Sequence, residues 1–320
     1  MRRREFLTVA AAGLIAAPHI SRAQAKWPER PVKLIVPFAP GGSTDLVARP
    51  WAEKLTQAFG QQFVVENRGG ASGMIGAEAV AKSPADGYTY LLGTATAIVT
   101  LPLLRKVGYD PKAFVPIGRV GDAVTGFVVH PSTGLKTFAD MVEYAKKNPG
   151  KLAFGSSGTA TAPHLRLEMM KLKTGIDILH VPYRGGADTL NDVLAGVIQM
   201  MNESSSIPHV RAGKLTLLNV NHPKRIAEFP DVPTLTELGH PGIDGGSWFA
   251  IHGIAGIPRE ILETFNAKLV EIGRTPEMQA RLATVSAVLT PQTLPEIARH
   301  LEDDAKVTAQ VIKDANIKIE

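Results

Sequence analysis

The window FGSSGTATAPH, residues 154–164, brings together serines, glycines and a histidine, which are the residue types of a nucleophilic hydrolase. A nucleophile elbow requires Gly-x-Ser-x-Gly, whereas the segment GSSGT has threonine where the last glycine belongs. The window therefore favours a strand-to-helix turn with exposed amides and hydroxyls, and an exported hydrolase that uses Ser156 or Ser157 stays the weaker alternative. The histidine of the window, His164, either caps and packs at the start of its helix or faces a ligand.

A second window, VPFAPGGSTDLVAR at residues 36–49, passes from an apolar strand through a glycine turn into a helix. Gly41 and Gly42 leave backbone amides open at the helix start, where the helix dipole favours an anion. The window has neither the Gly-Lys-Ser/Thr ending of a P-loop nor the spacing of a dinucleotide fingerprint. Two interpretations stay open: the loop binds an anion, or it only turns, with the Ser-Thr-Asp that follows capping the helix.

Loops of small polar and glycine residues recur where predicted strands end and predicted helices begin. In open α/β sheets, ligands bind beyond the carboxyl ends of the strands, so these loops should converge on one crevice. The histidines are scattered without metal-ligand spacing and the chain has no cysteine, so we expect no metal and no cofactor. The pattern favours binding over catalysis. The loops are residues 40–45, 69–73, 94–96, 156–159 and 183–186.

The elements that would position these loops alternate between short apolar strands and amphipathic helices, which indicates an α/β protein with largely parallel sheets. Helices are predicted up to Gly60 with a kink at Pro50, from Thr137 with Asp140 as a capping pair, from Pro258, and over residues 295–315. Strands are predicted at residues 32–37, 63–66, 88–93, 127–130, 152–155, 178–183, 197–201 and 215–220. The best domain-boundary candidates are the extended stretches 126–130 and 247–253.

The N-terminus has a basic start, an apolar run at residues 6–17 and small residues at positions 23 and 25. This pattern predicts a signal peptide over residues 1–25, cleaved after Ala25, and therefore export to the periplasm as a soluble protein. The Arg3-Arg4 pair resembles the twin-arginine motif and favours that export route over Sec without deciding between them. Four arginines and one glutamate of the leader contribute +3 of the formal +5 charge. The remaining basic residues are dispersed, so we expect no nucleic-acid partner.

Seven segments, in their order and spacing, resemble the Bug family of extracytoplasmic solute receptors, the TctC-like receptors of tripartite tricarboxylate transporters. The resemblance extends over essentially the whole chain after the leader, and the tail VIKDANIKIE is similar to the family's ending. The segments are VPFAPGGSTDLVAR, VVENRGGASGMIGAEAV, SPADGYTYLLGT, GSSGTATAPHL, VPYRGGADTLNDVLAG, RAGKLTLLNV and FPDVPTLTELG.

The resemblance implies a two-lobed, type II-like periplasmic binding protein in which each lobe is a mixed sheet flanked by helices. Lobe 1 would contain residues 26–125 and 249–320, and lobe 2 residues 126–248. The implied ligand is a small carboxylate: a di- or tricarboxylate, an acidic amino acid or an aromatic acid. A monomeric, non-enzymatic receptor would deliver it to membrane transporter subunits similar to TctA and TctB. A receptor that reports the ligand to a membrane signalling system is the alternative.

In the family, backbone amides and ordered water from the loop matching residues 40–45, facing the loop matching 156–159, hold the ligand carboxylate. This implies that the double glycine of this chain cradles a carboxylate. The expected binding residues are Ala39, Gly41, Gly42, Ser43, Thr44, Asp45, Thr94, Thr96, Ser156, Ser157, Gly158, Thr159, His164, Tyr183 and Glu203.

This chain departs from the family where members often have an aromatic residue and an aspartate, and Asn202 and Glu203 stand instead. Glu203 in the cleft would repel a second carboxylate or accept a hydrogen bond from an amino or hydroxyl group; otherwise it is solvated or internally paired. Tyr183 resembles a ligand-contact position, whereas Arg184 is more consistent with a surface charge.

Overall fold

The computed structural model of the protein describes residues 27–222, 224–243 and 247–318. The predicted signal peptide and its cleavage site lie outside these residues. None of the helices in the described part of the chain is both long enough and apolar enough to cross a membrane.

The described strands form two sheets, one of six strands and one of five. They are β1 (Val32–Val36), β2 (Phe63–Asn67), β3 (Thr89–Gly93), β4 (Phe114–Ala123), β5 (Val128–Val129), β6 (Ala153–Ser156), β7 (Leu179–Pro182), β8 (Met200–Met201), β9 (Thr216–Leu217), β10 (Trp248–Ile254) and β11 (Ala287–Val288). The first sheet has the order β11-β4-β10-β3-β1-β2 and the second β7-β6-β8-β5-β9.

Both sheets are mixed, which confirms the fold class and corrects the expectation of largely parallel sheets. In the first sheet β1 pairs in parallel with β2 and β3, so that Leu34 lies opposite Val65 and Tyr90. Strand β10 returns from the other sheet and runs antiparallel between β3 and β4. In the second sheet β6 is parallel to β7 and β8, whereas β5 is antiparallel to β8 and β9.

Ten α-helices surround the sheets in the described residues. They are α1 (Ser43–Phe59), α2 (Met74–Ala81), α3 (Leu101–Leu104), α4 (Phe138–Lys147), α5 (Ala162–Thr174), α6 (Gly186–Leu194), α7 (Ile207–Arg211), α8 (Arg259–Gly273), α9 (Pro276–Thr284) and α10 (Leu294–Asp314).

The helix termini follow local chemistry. Helix α1 runs continuously through Pro50 and ends at Gly60, whose φ of 68° is the left-handed conformation that glycine favours. Helix α4 begins with the predicted capping box, in which the Thr137 side chain accepts the Asp140 N–H and the Asp140 side chain accepts the Thr137 N–H.

Each sheet has its own hydrophobic core. The first core includes Trp51 of α1, which is fully buried and donates its indole N–H to Val120 O at 2.7 Å. Two further clusters, around Phe154 and around Val128, include residues of the second sheet. The chain leaves the first sheet at Ala123, enters the second at Val128 and returns at Trp248. The lobe boundaries given above stay a prediction.

Candidate functional site

A cavity that is partly open to solvent lies between the loops at the ends of the two sheets, with about 470 Å³ of empty space when the part open to solvent is included. Its walls are mainly small polar residues, with Phe38 and Phe249 as the aromatic surfaces. Seven of the predicted binding residues line it: Gly42, Ser43, Thr44, Thr94, Thr96, Ser157 and Glu203. The other lining residues are Ala123, Thr125, Thr161, Ala162, Pro163, Gly186, Asn202, Ser204 and Ser247.

The loop between β1 and α1 presents the start of that helix to the cavity. Gly41 has φ +80°, a conformation that needs glycine, whereas Gly42 is extended with φ −76° and is the N-cap. No side chain caps this end of the helix, so the first-turn amides after Gly42 are available to a ligand.

Asp45 braces this loop and does not line the cavity. Its carboxylate accepts hydrogen bonds from the Gly41 amide at 2.9 Å and from Asn67 Nδ2 at 3.0 Å, and it forms an ion pair with Arg49. The residue is 1% exposed. We conclude that this acidic residue, expected at the ligand, instead fixes the conformation in which the amides point outward.

Ser156 and His164 belong to a buried network behind the opposite loop. Ser156 Oγ lies 2.7 Å from His180 Nε2, and the rings of His180 and His164 stack at 4.0 Å. His164 Nδ1 accepts the Ala160 N–H at 3.0 Å. Burial lowers the pKa of His164 and lowers that of His180 to about 3, so both rings are neutral at physiological pH.

This serine–histidine contact does not make a nucleophile that a substrate in the cavity could reach. Ser156 is 0% exposed and is not among the described residues that line the cavity. The adjacent Ser157 does line it, but its side chain has no histidine partner among the described contacts. The hydrolase alternative therefore gains no support from the geometry.

Glu203 links the two loops across the cavity. Its Oε1 accepts the Ser157 N–H at 3.0 Å, and its Oε2 lies 3.4 Å from the Ser43 hydroxyl, which can donate to it. Burial raises the pKa of this carboxyl. The Ser157 amide, expected to hold the ligand, is therefore already bonded to a carboxyl group of the protein itself.

The remaining predicted residues lie outside the cavity lining. Tyr183 donates its hydroxyl to Asp192 Oδ2 at 2.6 Å and packs against the second sheet. Arg184 is exposed. Three more of the expected residues lie where loops of the first sheet approach loops of the second. Ala39 and Gly41 face the residues at the start of α6, and Gly158 faces Ser72. The described lining also leaves out Thr159.

The sequence reasoning missed a buried arginine beside the cavity. Arg166 of α5 is 4% exposed and donates to Asn202 Oδ1 at 3.2 Å and to Ser247 Oγ at 3.3 Å, and both acceptor residues line the cavity. Nothing in the local sequence of α5 distinguishes this arginine from a surface one. Thr125 was missed because it follows β4, a strand that was not predicted.

We expect replacement of Glu203 by glutamine to make the protein relatively more stable as the pH rises. The raised pKa means that the folded chain holds this proton more tightly than the unfolded chain. Stability from this group is thus complete below its usual pKa of 4.5 and is lost as the pH rises through the folded value. Glutamine cannot ionise but keeps an oxygen for the Ser157 amide.

The check is urea denaturation of the ligand-free proteins between about pH 4 and about pH 8. The free energy of unfolding of Glu203→Gln minus that of the wild type should increase with pH. A difference that stays constant or falls would show that the carboxyl is not held protonated by burial.

The model of the tripartite tricarboxylate transporter family receptor, TctC, matches residues 47–317 of this chain. Protein BugT of Bordetella pertussis is 34% identical over 298 residues, which is 92% of this chain and 91% of that protein. The structure of R. palustris Rpa4515 with adipate is 35% identical with a TM-score of 0.88, covering 91% of this chain and 99% of that one. The structure of the periplasmic binding protein BugD is 32% identical with a TM-score of 0.87, covering 92% and 100%.

These similarities extend over nearly the full length of both partners, so they concern the whole fold and not one motif. They confirm the resemblance to the Bug family and the architecture of two mixed sheets flanked by helices. The chain belongs to the TctC family, the receptors of tripartite tricarboxylate transporters.

Proposed function

We propose that this protein is a periplasmic receptor that binds a small carboxylate in the cavity between its two sheets. After export, the monomeric receptor would deliver that ligand to the membrane subunits of a tripartite tricarboxylate transporter. The single observation that carries the proposal is the uncapped start of α1 in the cavity wall at Gly42, Ser43 and Thr44.

A carboxylate in this cavity would have to be held by amides and hydroxyls. No lysine, arginine or histidine is among the described residues that line it. The N–H groups of the first turn of α1 have no partner within the helix, and the helix dipole places partial positive charge there. The hydroxyls of Thr94 and Thr96, which are hydrogen-bonded to each other at 3.0 Å, offer further polar contacts.

Close approaches between the loops of the two sheets support a clamping mechanism. A Cβ added at Gly185 would lie 3.1 Å from Ala39 Cβ, and one added at Gly158 would lie 2.7 Å from Ser72 Oγ. Arg211 of α7 donates to the carbonyl oxygen of Thr284 at the end of α9 at 3.4 Å. These contacts join the loops of one sheet to those of the other, as expected for two halves that close on a ligand.

A structural relative gives independent support for the ligand class. Rpa4515, which is 35% identical and similar over 91% of this chain, has adipate bound in its structure. The same cavity would serve a receptor for a signalling system equally well, and no described contact favours that output over transport.

We expect stoichiometric carboxylate binding without turnover. The test uses residues 26–320, the predicted mature chain, in thermal-shift and calorimetric titrations with adipate, butanoate, glutamate and benzoate. The amides of the same acids are the matched controls, because they keep the shape and lose the charge. Binding should raise the melting temperature by mass action.

The bound acid should then be recovered unchanged by chromatography after prolonged incubation. Steady consumption of the acid would contradict the receptor proposal in favour of an enzyme. Equal binding of acids and their amides would contradict the carboxylate cradle at α1.

A further inference from the structure

Three buried polar atoms in the cavity wall have no hydrogen-bond partner among the described protein atoms. They are Thr125 Oγ1, Asn202 Nδ2 and Ser204 Oγ. The three residues are 2%, 0% and 1% exposed, and all of them line the cavity. Because a buried polar group without a partner costs free energy, such a cluster indicates that this part of the cavity holds polar atoms, either of the ligand or of ordered water that a ligand group can replace.

The Asn202 amide defines what kind of ligand atom it can bind. Its Oδ1 accepts hydrogen bonds from Arg166 Nη1 at 3.2 Å and from Asn221 Nδ2 at 3.0 Å. Two donors on one atom identify it as the oxygen, so the unpartnered atom is the NH₂ group, which only donates. The ligand atom that faces Asn202 must therefore be an acceptor.

An ammonium group does not meet this requirement. It has no lone pair to accept from Asn202, and the buried guanidinium of Arg166 lies directly behind that side chain. An ammonium at this position would leave the Asn202 NH₂ group without a partner.

A second carboxylate also fits poorly. No cationic side chain is among the described lining residues, and Glu203 contributes a carboxyl group to the wall. The Ser157 amide, the donor expected on that side, already bonds to Glu203. A second carboxylate would thus contact only uncharged side chains of the wall, without a set of amides like those at α1, because the Arg166 guanidinium already donates to Asn202 and Ser247.

A hydroxyl group satisfies all three wall residues. Its oxygen accepts from Asn202 Nδ2 and from the hydroxyl of either Thr125 or Ser204, and its proton is donated to the other one, because both hydroxyls can donate and accept. We infer that Thr125, Asn202 and Ser204 form a second subsite that binds a hydroxyl group, and that the preferred ligand is a hydroxy monocarboxylate. This inference rests on the proposed carboxylate-binding function.

The test compares four-carbon acids that differ in one group. The probes are the three hydroxybutanoate isomers, the corresponding aminobutanoates, butanoate and butanedioate, each titrated by calorimetry into residues 26–320. At least one hydroxybutanoate should bind tighter, by about tenfold or more, than butanoate, the aminobutanoates and butanedioate, as expected for the additional neutral hydrogen bonds at this subsite.

Ser204→Ala and Thr125→Val should each reduce the hydroxy-over-butanoate preference about three- to tenfold while butanoate affinity changes little. Ser205→Ala is the matched control, because the Ser205 hydroxyl is also buried and unpartnered but is not among the cavity-lining residues described. It keeps the Ser205 backbone N–H, which donates to Ser43 Oγ at 3.2 Å. The preference should survive in this variant. Circular dichroism verifies that each variant is folded. If Thr125→Val does not fold, the affinities of Ser204→Ala alone test the subsite.

If an aminobutanoate or butanedioate binds more tightly than every hydroxybutanoate, the proposed hydroxyl subsite is wrong. An equal loss of preference in Ser204→Ala and Ser205→Ala would also overturn it. Binding of butanoate without any preference for a hydroxybutanoate would contradict this inference alone and leave the proposed function intact. The absence of binding by every acid, including adipate, would contradict both.

Discussion

Replacement of Gly42 by valine is expected to remove measurable carboxylate binding from a protein that still folds. The φ of Gly42, −76°, is accessible to any residue, so the turn itself does not require glycine at this position. An added Cβ would lie 3.5 Å from Ala39 O and 3.6 Å from Gly186 N, which is ordinary contact. Valine adds two further methyl groups to a Cβ that is already in contact with both loops, and we expect them to hold the opposing loops apart.

The expected loss of binding affinity is large because the variant loses both the amide contacts of α1 and the closure of the two loops around the ligand. A carboxylate kept away from the first turn of α1 loses two or three charge-assisted hydrogen bonds, each worth about 1.5 to 3 kcal/mol. Isothermal titration with the acid that binds the wild type most tightly, at matched protein and salt concentrations, measures the loss. Circular dichroism and urea denaturation establish that the variant is folded.

Two variants serve as controls for this result. Gly42→Ala adds only the Cβ that the structure accommodates, so it should retain most of the affinity. Arg184 is exposed and is not among the described lining residues, so Arg184→Ala should cost only about 0 to 1 kcal/mol. If Arg184→Ala abolishes binding while a folded Gly42→Val retains it, an arginine clamp replaces the amide cradle.

Replacement of Gly126 by alanine is expected to destabilise the protein strongly. Gly126 lies in the segment that joins β4 to β5, where the chain passes from the first sheet to the second. An added Cβ would lie 1.8 Å from the backbone oxygen of Asn219 and 2.6 Å from Leu217 Cδ1. A distance of 1.8 Å to a backbone atom cannot be relieved by a side-chain rotation.

The backbone around Gly126 is held in place by hydrogen bonds on both sides. The Asn221 N–H donates to Thr125 O at 2.7 Å, and the Leu218 N–H donates to Phe127 O at 2.9 Å. A shift large enough to accept the new methyl group would break these bonds and the packing of the second sheet. We expect a loss of about 3 kcal/mol or more in the free energy of unfolding.

Urea denaturation followed by circular dichroism measures this loss, and Gly121→Ala is the matched control. Gly121 lies in β4 near the same crossing, but an added Cβ there would meet its nearest neighbour, Val47 Cγ1, at 3.5 Å. That variant should change stability by less than about 1 kcal/mol. Equal stability of the two variants would contradict the close approach of Gly126 to Asn219.

The sequence by itself determined the elements whose signals are local. The left-handed Gly60 ends α1, the Thr137–Asp140 capping box begins α4, and α10 spans nearly the predicted range. Such signals act within one helical turn, so neighbouring residues suffice to predict them. The ordered segments also identified the family, because seven of them in one order are far more specific than any one.

Strand β4 was not predicted, because its local sequence does not have the pattern of a strand. Its sequence, FVPIGRVGDA, contains a proline and two glycines and shows no simple alternation of buried and exposed residues. It is a strand because β10, more than a hundred residues later, pairs along its whole length. Pairing of this kind depends on the tertiary fold, so both β4 and the Thr125 that follows it were beyond prediction.

Only the tertiary structure decided which of the expected binding residues meet the cavity. Three expected binding residues have other partners. Asp45 accepts hydrogen bonds from Gly41 and Asn67, the His164 ring stacks on His180, and Tyr183 donates to Asp192. The sequence placed the polar residues in the right loops but could not specify their partners. A buried polar side chain turns toward whichever donor or acceptor the packing brings near it, and those partners come from distant parts of the chain.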